Sequence, residues 1–155
     1  MKLIAMPIRD FALPVPRTGS IEAHSGYGRA TTEGQEIHLR VQKERTEADP
    51  TYRSEVSLTQ DFEREGFLFR IGGRMDGFFD SDPKRIEEIK STFNIHELSR
   101  RLSDRPHDHP YCLQLKTYGY LYWLQNQAVP DLSFHLVSSS ILREISDFWA
   151  ETEAP

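Results

Sequence analysis

Residues 72–92, GGRMDGFFDSDPKRIEEIKST, contain two apolar-rich runs on either side of the turn-forming residues Asp-Ser-Asp-Pro. Apolar runs around such a turn predict a β-hairpin, with strands at about 74–80 and 84–91. Each strand nevertheless carries a carboxylate where apolar atoms are expected: Asp76 in the first and Glu88 in the second, with Lys90 two residues later. Burying a charge costs free energy unless the charge is paired, so these positions require a specific partner.

The length of the hairpin loop decides which residues face each other. If residues 81–83 form a three-residue loop, Asp76 lies opposite Glu88 and Arg74 opposite Lys90. Opposed residues share a face, and their Cβ atoms are about 4.5–5.5 Å apart. Two facing carboxylates repel each other, and a hard divalent cation, which prefers oxygen ligands, would relieve that repulsion. A solvated salt-bridge ladder is the alternative, and a register slip of one residue would place the acids on opposite faces.

The composition, with 37% apolar and 28% charged residues in a chain of 155, is typical of a soluble globular protein. We expect one domain over residues 1–150, followed by a tail or linker over 151–155. The formal net charge of −5 argues against a uniformly basic surface, although a local basic groove remains compatible with it. No apolar stretch is long enough to span a bilayer. We therefore expect a cytoplasmic protein without a membrane partner.

Two helices and several strands follow from the hydrophobic pattern. A helix is predicted from residue 30 to about 48, because acids follow a capping threonine and Ile37 and Val41 recur at i,i+4. Within residues 1–28, a short apolar start precedes ALPVPRTGS, a proline-interrupted segment that is predicted to be loop. The remaining predictions are strands at 54–61, 67–71 and 131–138, partial helix in 94–109, and strand or helix at 141–149. Residues 110–125 are predicted to be a helix, although their aromatic content leaves a strand as the alternative. This order predicts an α/β fold.

Polar residues on the two long helices are further site candidates. His38 and Gln42 share one stripe of the first helix, and Arg45 continues it. His38 could supply an imidazole to the same cation, or it could be a partly buried histidine on a surface helix. On the second helix, Gln114 and Tyr118 form an i,i+4 pair whose side chains could hold a nucleic-acid strand in register.

A zinc site is a weaker candidate. The segment HDHPYC contains His107, His109 and Cys112, with His96 nearby, but a second matched ligand pair is missing. The single cysteine also excludes an internal disulfide and a four-cysteine cluster within this chain.

Four short segments, taken in order, resemble a known family. GQEIH (34–38), GRMDG (73–77), EEIK (87–90) and QLKTY (114–118) are similar to the GxxxH, Asp, ExK and QxxxY elements of the RecB-like branch of the PD-(D/E)XK nuclease superfamily. Together they cover about 85 residues. The surrounding sequence further resembles the nuclease domain fused ahead of DinG-type DNA helicases. The resemblance implies a restriction-endonuclease-like core, in which helices flank a mixed central β-sheet.

The resemblance also implies a metal centre. His38, Asp76 and Glu88 would bind Mg²⁺ or Mn²⁺, together with the main-chain carbonyl of Ile89, and Lys90 would orient or activate the attacking water. Several relatives hold an iron–sulfur cluster on four cysteines, which this chain cannot do. The proline that the superfamily motif places before the metal-binding aspartate is a methionine here.

The same resemblance assigns Gln114 and Tyr118 to positioning of the nucleic-acid strand. Gln42, Arg45 and Arg74 are the other candidates for contact with nucleic acid, because they continue the helical stripe or lie on the hairpin.

The function expected from these features is metal-dependent hydrolysis of DNA phosphodiester bonds, by an exonuclease acting on single strands or duplex ends. DNA repair or recombination beside a fused or associated helicase would be its setting. The alternative is a catalytically silent nucleic-acid-binding clamp of a helicase. A small-molecule metallohydrolase is a third interpretation.

Overall fold

A computed structural model describes residues 1–12, 32–139 and 144–149 of the chain. Within those ranges the chain forms strands and helices in the order β1 (Lys2–Pro7), α1 (Ile8–Ala12), α2 (Thr32–Ala48), β2 (Tyr52–Arg64), β3 (Phe67–Phe79), β4 (Arg85–Thr92), α3 (Ile95–Asp104), α4 (Pro110–Asn126), β5 (Asp131–Ser138) and β6 (Glu144–Trp149).

The strands form one six-stranded mixed sheet in which β3 has three partners. β2 runs antiparallel along one edge of β3. The other edge is shared, because β1 pairs in parallel with residues 67–72 and β4 pairs antiparallel with residues 77–79. Beyond β4, β5 is parallel and β6 is antiparallel. Residues 73–76 of β3 therefore lie in a gap between the end of β1 and the start of the β4 ladder.

Helices cover both faces of this sheet. The larger core joins α1, α3 and α4 to one face, and includes Ile86 of β4. The smaller core joins Val41 of α2 to Ile89 of β4 and Val137 of β5. Ile86 and Ile89 lie three positions apart on one strand and so point to opposite faces. The fold class expected from the sequence, a mixed central sheet between helices, is confirmed.

Most predicted elements are present. The predicted strands at 67–71 and 74–80 are one continuous strand, β3. The short apolar start of the chain, for which no element was predicted, forms β1 over residues 2–7 and pairs in parallel with β3, whereas all of the predicted proline-interrupted loop after Ala12 lies outside the described residues. The undecided segment at 141–149 includes a strand over 144–149, whereas residues 141–143 and the expected tail lie outside the described residues. No helix in the described ranges is long and apolar enough to cross a bilayer.

Candidate functional site

The β3–β4 hairpin has the predicted register. Gly77 pairs with Glu87, and the two following pairs continue in step. Asp76 and Glu88 would be the next opposed pair, but the ladder ends before them. Instead, Oδ2 of Asp76 accepts the main-chain N–H of Ile89 at 2.9 Å. The aspartate side chain therefore inserts between the two strands where they separate.

The β2–β3 ladder is interrupted at the same place. Its pairs run continuously except at Glu55, which would oppose Asp76. Glu55 has a φ of 54°, a left-handed conformation that is uncommon for a residue with a side chain. On one side of this break, Met75 lies in the core beneath α4. On the other, the ring of Phe79 lies 5.6 Å from the guanidinium carbon of Arg45 on α2. Odd-numbered residues of β3 thus lie on the α4 face of the sheet before Asp76 and on the α2 face after it.

Side chains from α2 and β2 take over the hydrogen bonding that the broken ladder leaves open. The carbonyl oxygen of Asp76 accepts a hydrogen bond from Gln42 Nε2 at 2.9 Å and one from the Tyr52 hydroxyl at 3.4 Å. The same Gln42 nitrogen donates to Oε1 of Glu55 at 2.9 Å. Buried main-chain carbonyls need such partners. The distorted backbone is therefore held by a specific set of donors.

Two glycines make room for tyrosines on either side of Asp76. A Cβ atom at Gly73 would lie 2.7 Å from the Tyr118 hydroxyl oxygen, and one at Gly77 would lie 2.6 Å from that of Tyr52. These glycines admit the two aromatic side chains, which pack against β3.

Five of the predicted site residues have contacts with one another near this break. His38 Nδ1 is 3.6 Å from Oδ1 of Asp76, and Lys90 Nζ is 3.4 Å from Oε2 of Glu88. Lys90 also donates to Oε1 of Gln114 at 3.3 Å. The structure thus brings together side chains from α2, β3, β4 and α4.

Burial shapes the electrostatics of this cluster. Desolvation, reinforced by the Asp76 carboxylate, raises the pKa of Glu88 to about 8, and the neighbouring ammonium group of Lys90 offsets only part of this. Burial acts to lower the pKa of Lys90, but the Glu88 and Asp76 carboxylates outweigh it and the net shift is upward. Lys90 is therefore charged at neutral pH, and it lies 3.4 Å from Glu88. The raised pKa of Glu88 follows first from its burial and then from a site that places two carboxyl groups beside one cation.

The residues present are of the right type for a hard divalent cation. Oε1 of Glu88 is buried and accepts no hydrogen bond from a protein donor, and the Glu88 side chain interacts with that of Asp76, so this oxygen is available as a cation ligand. Carboxylate oxygens with one imidazole are suitable donors for Mg²⁺ or Mn²⁺. Within the described parts of the chain, however, no three His, Cys, Asp or Glu side chains are grouped closely enough to hold an ion. Ligation by His38, Asp76, Glu88 and the Ile89 carbonyl remains a prediction.

Two of the five residues predicted to contact nucleic acid, Gln42 and Tyr118, are buried. Gln42 is only 5% exposed, and its amide is engaged by Glu55 and Asp76. Tyr118 is also buried, and its hydroxyl donates to the carbonyl oxygen of Arg74 at 2.9 Å. Both residues support the backbone of β3 from inside the protein.

Arginines 45 and 74 have different environments. Arg45 forms a two-point ion pair with Glu87, a fully buried carboxylate, at 2.7 and 3.3 Å, which gives this arginine a structural role. Arg74 was predicted to lie on the same face of the sheet as Lys90. The two residues lie on opposite faces, because β3 changes faces at Asp76. Its side chain is 69% exposed. Arg74 and the partly exposed Gln114 remain the candidates for contact with nucleic acid.

The histidines of the zinc hypothesis are not gathered around a metal. His109 caps α4, and its Nδ1 accepts the N–H of Tyr111 at 3.1 Å. His107 Nδ1 lies 3.2 Å from Nζ of Lys116, and Cys112 is buried in the larger core.

Two residues at the site, Glu55 and Tyr52, were not predicted from the sequence, and both contact the Asp76 region from β2. The ring of Tyr111, which is near Gln114 on α4, lies 4.5 Å from Lys90 Nζ. No local pattern distinguishes Glu55 from the other acids of β2.

Comparison with known proteins supports the fold and leaves the family open. No protein-family model matches the chain, and no curated protein matches it either. Among the solved structures that match, the crystal structure of SSO0001 superimposes with a TM-score of 0.61 at 15% sequence identity, covering 96% of this chain and 69% of that one. At this identity the likeness concerns the fold alone.

Proposed function

We propose that this protein is a Mg²⁺- or Mn²⁺-dependent DNA nuclease that hydrolyses phosphodiester bonds from strand ends or in single strands. The observation that carries the proposal is the pair of adjoining contacts at a break in the sheet: His38 faces Asp76, and Lys90 faces Glu88 next to the Ile89 amide that Asp76 accepts. Backbone distortions and buried charged groups are not required for folding. Both are found most often at functional sites.

The chemistry of these side chains suits phosphodiester hydrolysis. A divalent cation held by the carboxylates would supply a nucleophilic water and neutralise charge on the phosphoryl oxygens. Lys90 is held by Glu88 and Gln114, so its ammonium group can donate a hydrogen bond to that water. Burial raises the pKa of Glu88, so its carboxyl group binds a proton more readily than a free carboxyl group. Binding of a cation at Glu88 would therefore compete with that proton.

The direct test is DNA degradation by the purified protein with Mg²⁺ or Mn²⁺. Asp76→Ala and Lys90→Ala should each reduce the rate by at least 100-fold, on the scale of lost general acid–base or electrostatic groups. Glu63→Ala on the exposed end of β2 is the control and should retain the wild-type rate. Equal rates in the wild type and both site variants would refute the proposal, because the activity would then come from a contaminant.

A comparison of linear and circular single-stranded DNA separates exonuclease from endonuclease activity. An exonuclease degrades only the linear form. Cleavage of both forms would correct this part of the proposal while leaving the metal-dependent chemistry in place.

A second candidate is a silent nucleic-acid-binding clamp. It is favoured by the finding that no three ligand side chains in the described residues already enclose an ion. DNA binding in EDTA without cleavage on addition of Mg²⁺ or Mn²⁺ would support the clamp. The resemblance of the four sequence motifs suggests the same setting for both candidate functions. The protein would work in the cytoplasm beside a fused or associated helicase.

A further inference from the structure

Glu55 occupies an unusual position on β2. It lies at the point where the β2–β3 ladder skips the pair with Asp76, and its φ of 54° is left-handed. This conformation is unfavourable for a residue with a side chain. In a strand interior such a cost persists only where the surroundings enforce it. The strand therefore departs from regular geometry to place this side chain.

A single amide group connects Glu55 to Asp76. Gln42 Nε2 lies 2.9 Å from Oε1 of Glu55 and 2.9 Å from the carbonyl oxygen of Asp76. The Glu55 and Asp76 oxygens are both hydrogen-bond acceptors, so each takes one hydrogen of the Gln42 amide. A flipped amide would place its own oxygen against these two acceptors and would lose both hydrogen bonds. Glu55 thereby fixes the orientation of the amide that holds the Asp76 backbone.

The other contact of Glu55 is weaker. Its Oε2 lies 3.6 Å from Nε of Arg74, and the two side chains are 43% and 69% exposed. Exposed ion pairs at this separation contribute little. The ion pair therefore does not account for the distortion, whereas the bond to Gln42 does.

We propose that Glu55 is a positioning residue for Asp76 and acts through the amide of Gln42. With the amide in place, the Asp76 main chain stays out of the ladder, and its carboxylate reaches the N–H of Ile89 and faces His38. The role in metal binding rests on the proposed function; the positioning of Asp76 does not. Partners that orient a metal ligand typically change metal affinity by 10–100-fold when they are removed.

Four variants test this inference. Glu55→Ala removes the acceptor for Gln42, and Glu55→Gln keeps an acceptor oxygen but removes the charge. Gln42→Met keeps the size of the side chain but removes the donor. Glu63→Ala, an exposed acid on the same strand, is the matched control.

Two measurements are made on each protein. Hydrogen exchange of the Ile89 amide, followed by NMR in EDTA, reports on the bond from Ile89 to Asp76. We expect at least tenfold faster exchange in Glu55→Ala and Gln42→Met, and wild-type exchange in Glu55→Gln and Glu63→Ala. Titration with Mn²⁺ should show affinity at least tenfold weaker in the first two variants and within about twofold of the wild type in the others.

The outcomes are distinguishable. Wild-type exchange and wild-type Mn²⁺ affinity in both Glu55→Ala and Gln42→Met would overturn the inference. Equal losses in Glu55→Gln and Glu55→Ala would also overturn it, because the charge rather than the hydrogen bond would then matter. If the wild type itself does not bind Mn²⁺, the proposed function fails, whereas the exchange of the Ile89 amide still decides whether Glu55 positions Asp76.

Discussion

Oδ2 of Asp76 accepts the main-chain N–H of Ile89 at 2.9 Å, just beyond the last pair of the β3–β4 ladder. This bond fixes one carboxylate oxygen to the neighbouring strand, while the other faces His38 at 3.6 Å. The direction of the carboxylate is thus set by the backbone of β4 rather than by rotamer preference. Because Glu88 and Ile89 are adjacent in β4, the same bond ties Asp76 to the position of Glu88.

This arrangement separates the structural role of Asp76 from its charge. In Asp76→Asn the amide oxygen can still accept from Ile89, so we expect the free energy of unfolding to change by no more than about 1 kcal/mol. The loss of the negative charge should weaken Mn²⁺ binding by at least tenfold. Calorimetric titration and urea denaturation measure the two effects. Unchanged affinity for Mn²⁺ would show that Asp76 is not a ligand.

The buried carboxyl group of Glu88 makes the metal-free protein sensitive to pH. Its pKa rises from 4.5 to about 8 on folding. A raised pKa contributes stability that is fully present below pH 4.5 and is lost as the pH rises toward 8. In EDTA, the wild type should therefore become less stable across this window, and Glu88→Gln, which is neutral throughout, should gain relative stability by a few kcal/mol at the upper end.

Urea denaturation at pH 5, 6.5 and 8.5 checks this expectation. The difference between Glu88→Gln and the wild type should grow with pH, and Glu63→Gln, a control on the exposed end of β2, should follow the wild type. Parallel pH profiles for Glu88→Gln and the wild type would mean that Glu88 titrates normally in the folded protein.

Local sequence signals were sufficient for the hairpin and its register. The turn residues between 79 and 85 limit the loop length, and apolar residues on both sides fix the pairing of Phe78 with Ile86. The strand over 131–138 was predicted with its observed bounds for the same reason, since its apolar residues are bounded by Asp131 and a serine run. Both features depend on residues that are close in sequence.

Features that depend on distant partners were not predictable. β1 pairs with β3 across about sixty residues, and a short apolar segment ending in proline does not indicate that partner. The change of faces at Asp76 was also missed, because the alternation around Val56 and Leu58 continues past Glu55 without a glycine to mark the left-handed residue. The motifs thus indicated which residues meet, but not the backbone break that brings them together.

A substitution in the turn between β2 and β3 tests the backbone conformation of that turn without changing the candidate site. Glu65 and Gly66 have φ of 52° and 81°, the pattern of a two-residue type I′ turn, which favours Asn-Gly. Glu65→Asn should therefore stabilise the protein by about 0.5–1 kcal/mol. Glu65→Ala removes the same charge without the preference for this conformation, and should not stabilise. Thermal denaturation of both variants measures the difference, and equal stabilities would contradict the assigned turn.

Tyr118→Phe decides whether Tyr118 supports the fold or contacts the nucleic acid. Its hydroxyl donates to the carbonyl oxygen of Arg74 at 2.9 Å, and burial raises its pKa, so that the donor stays protonated. Loss of this bond should reduce the free energy of unfolding by about 1 kcal/mol, whereas DNA binding in EDTA should remain at the wild-type level. Tyr120→Phe, on the same helix and 43% exposed, is the control and should change neither quantity. Weaker DNA binding by Tyr118→Phe with unchanged stability would instead restore the direct contact that the sequence motif implies.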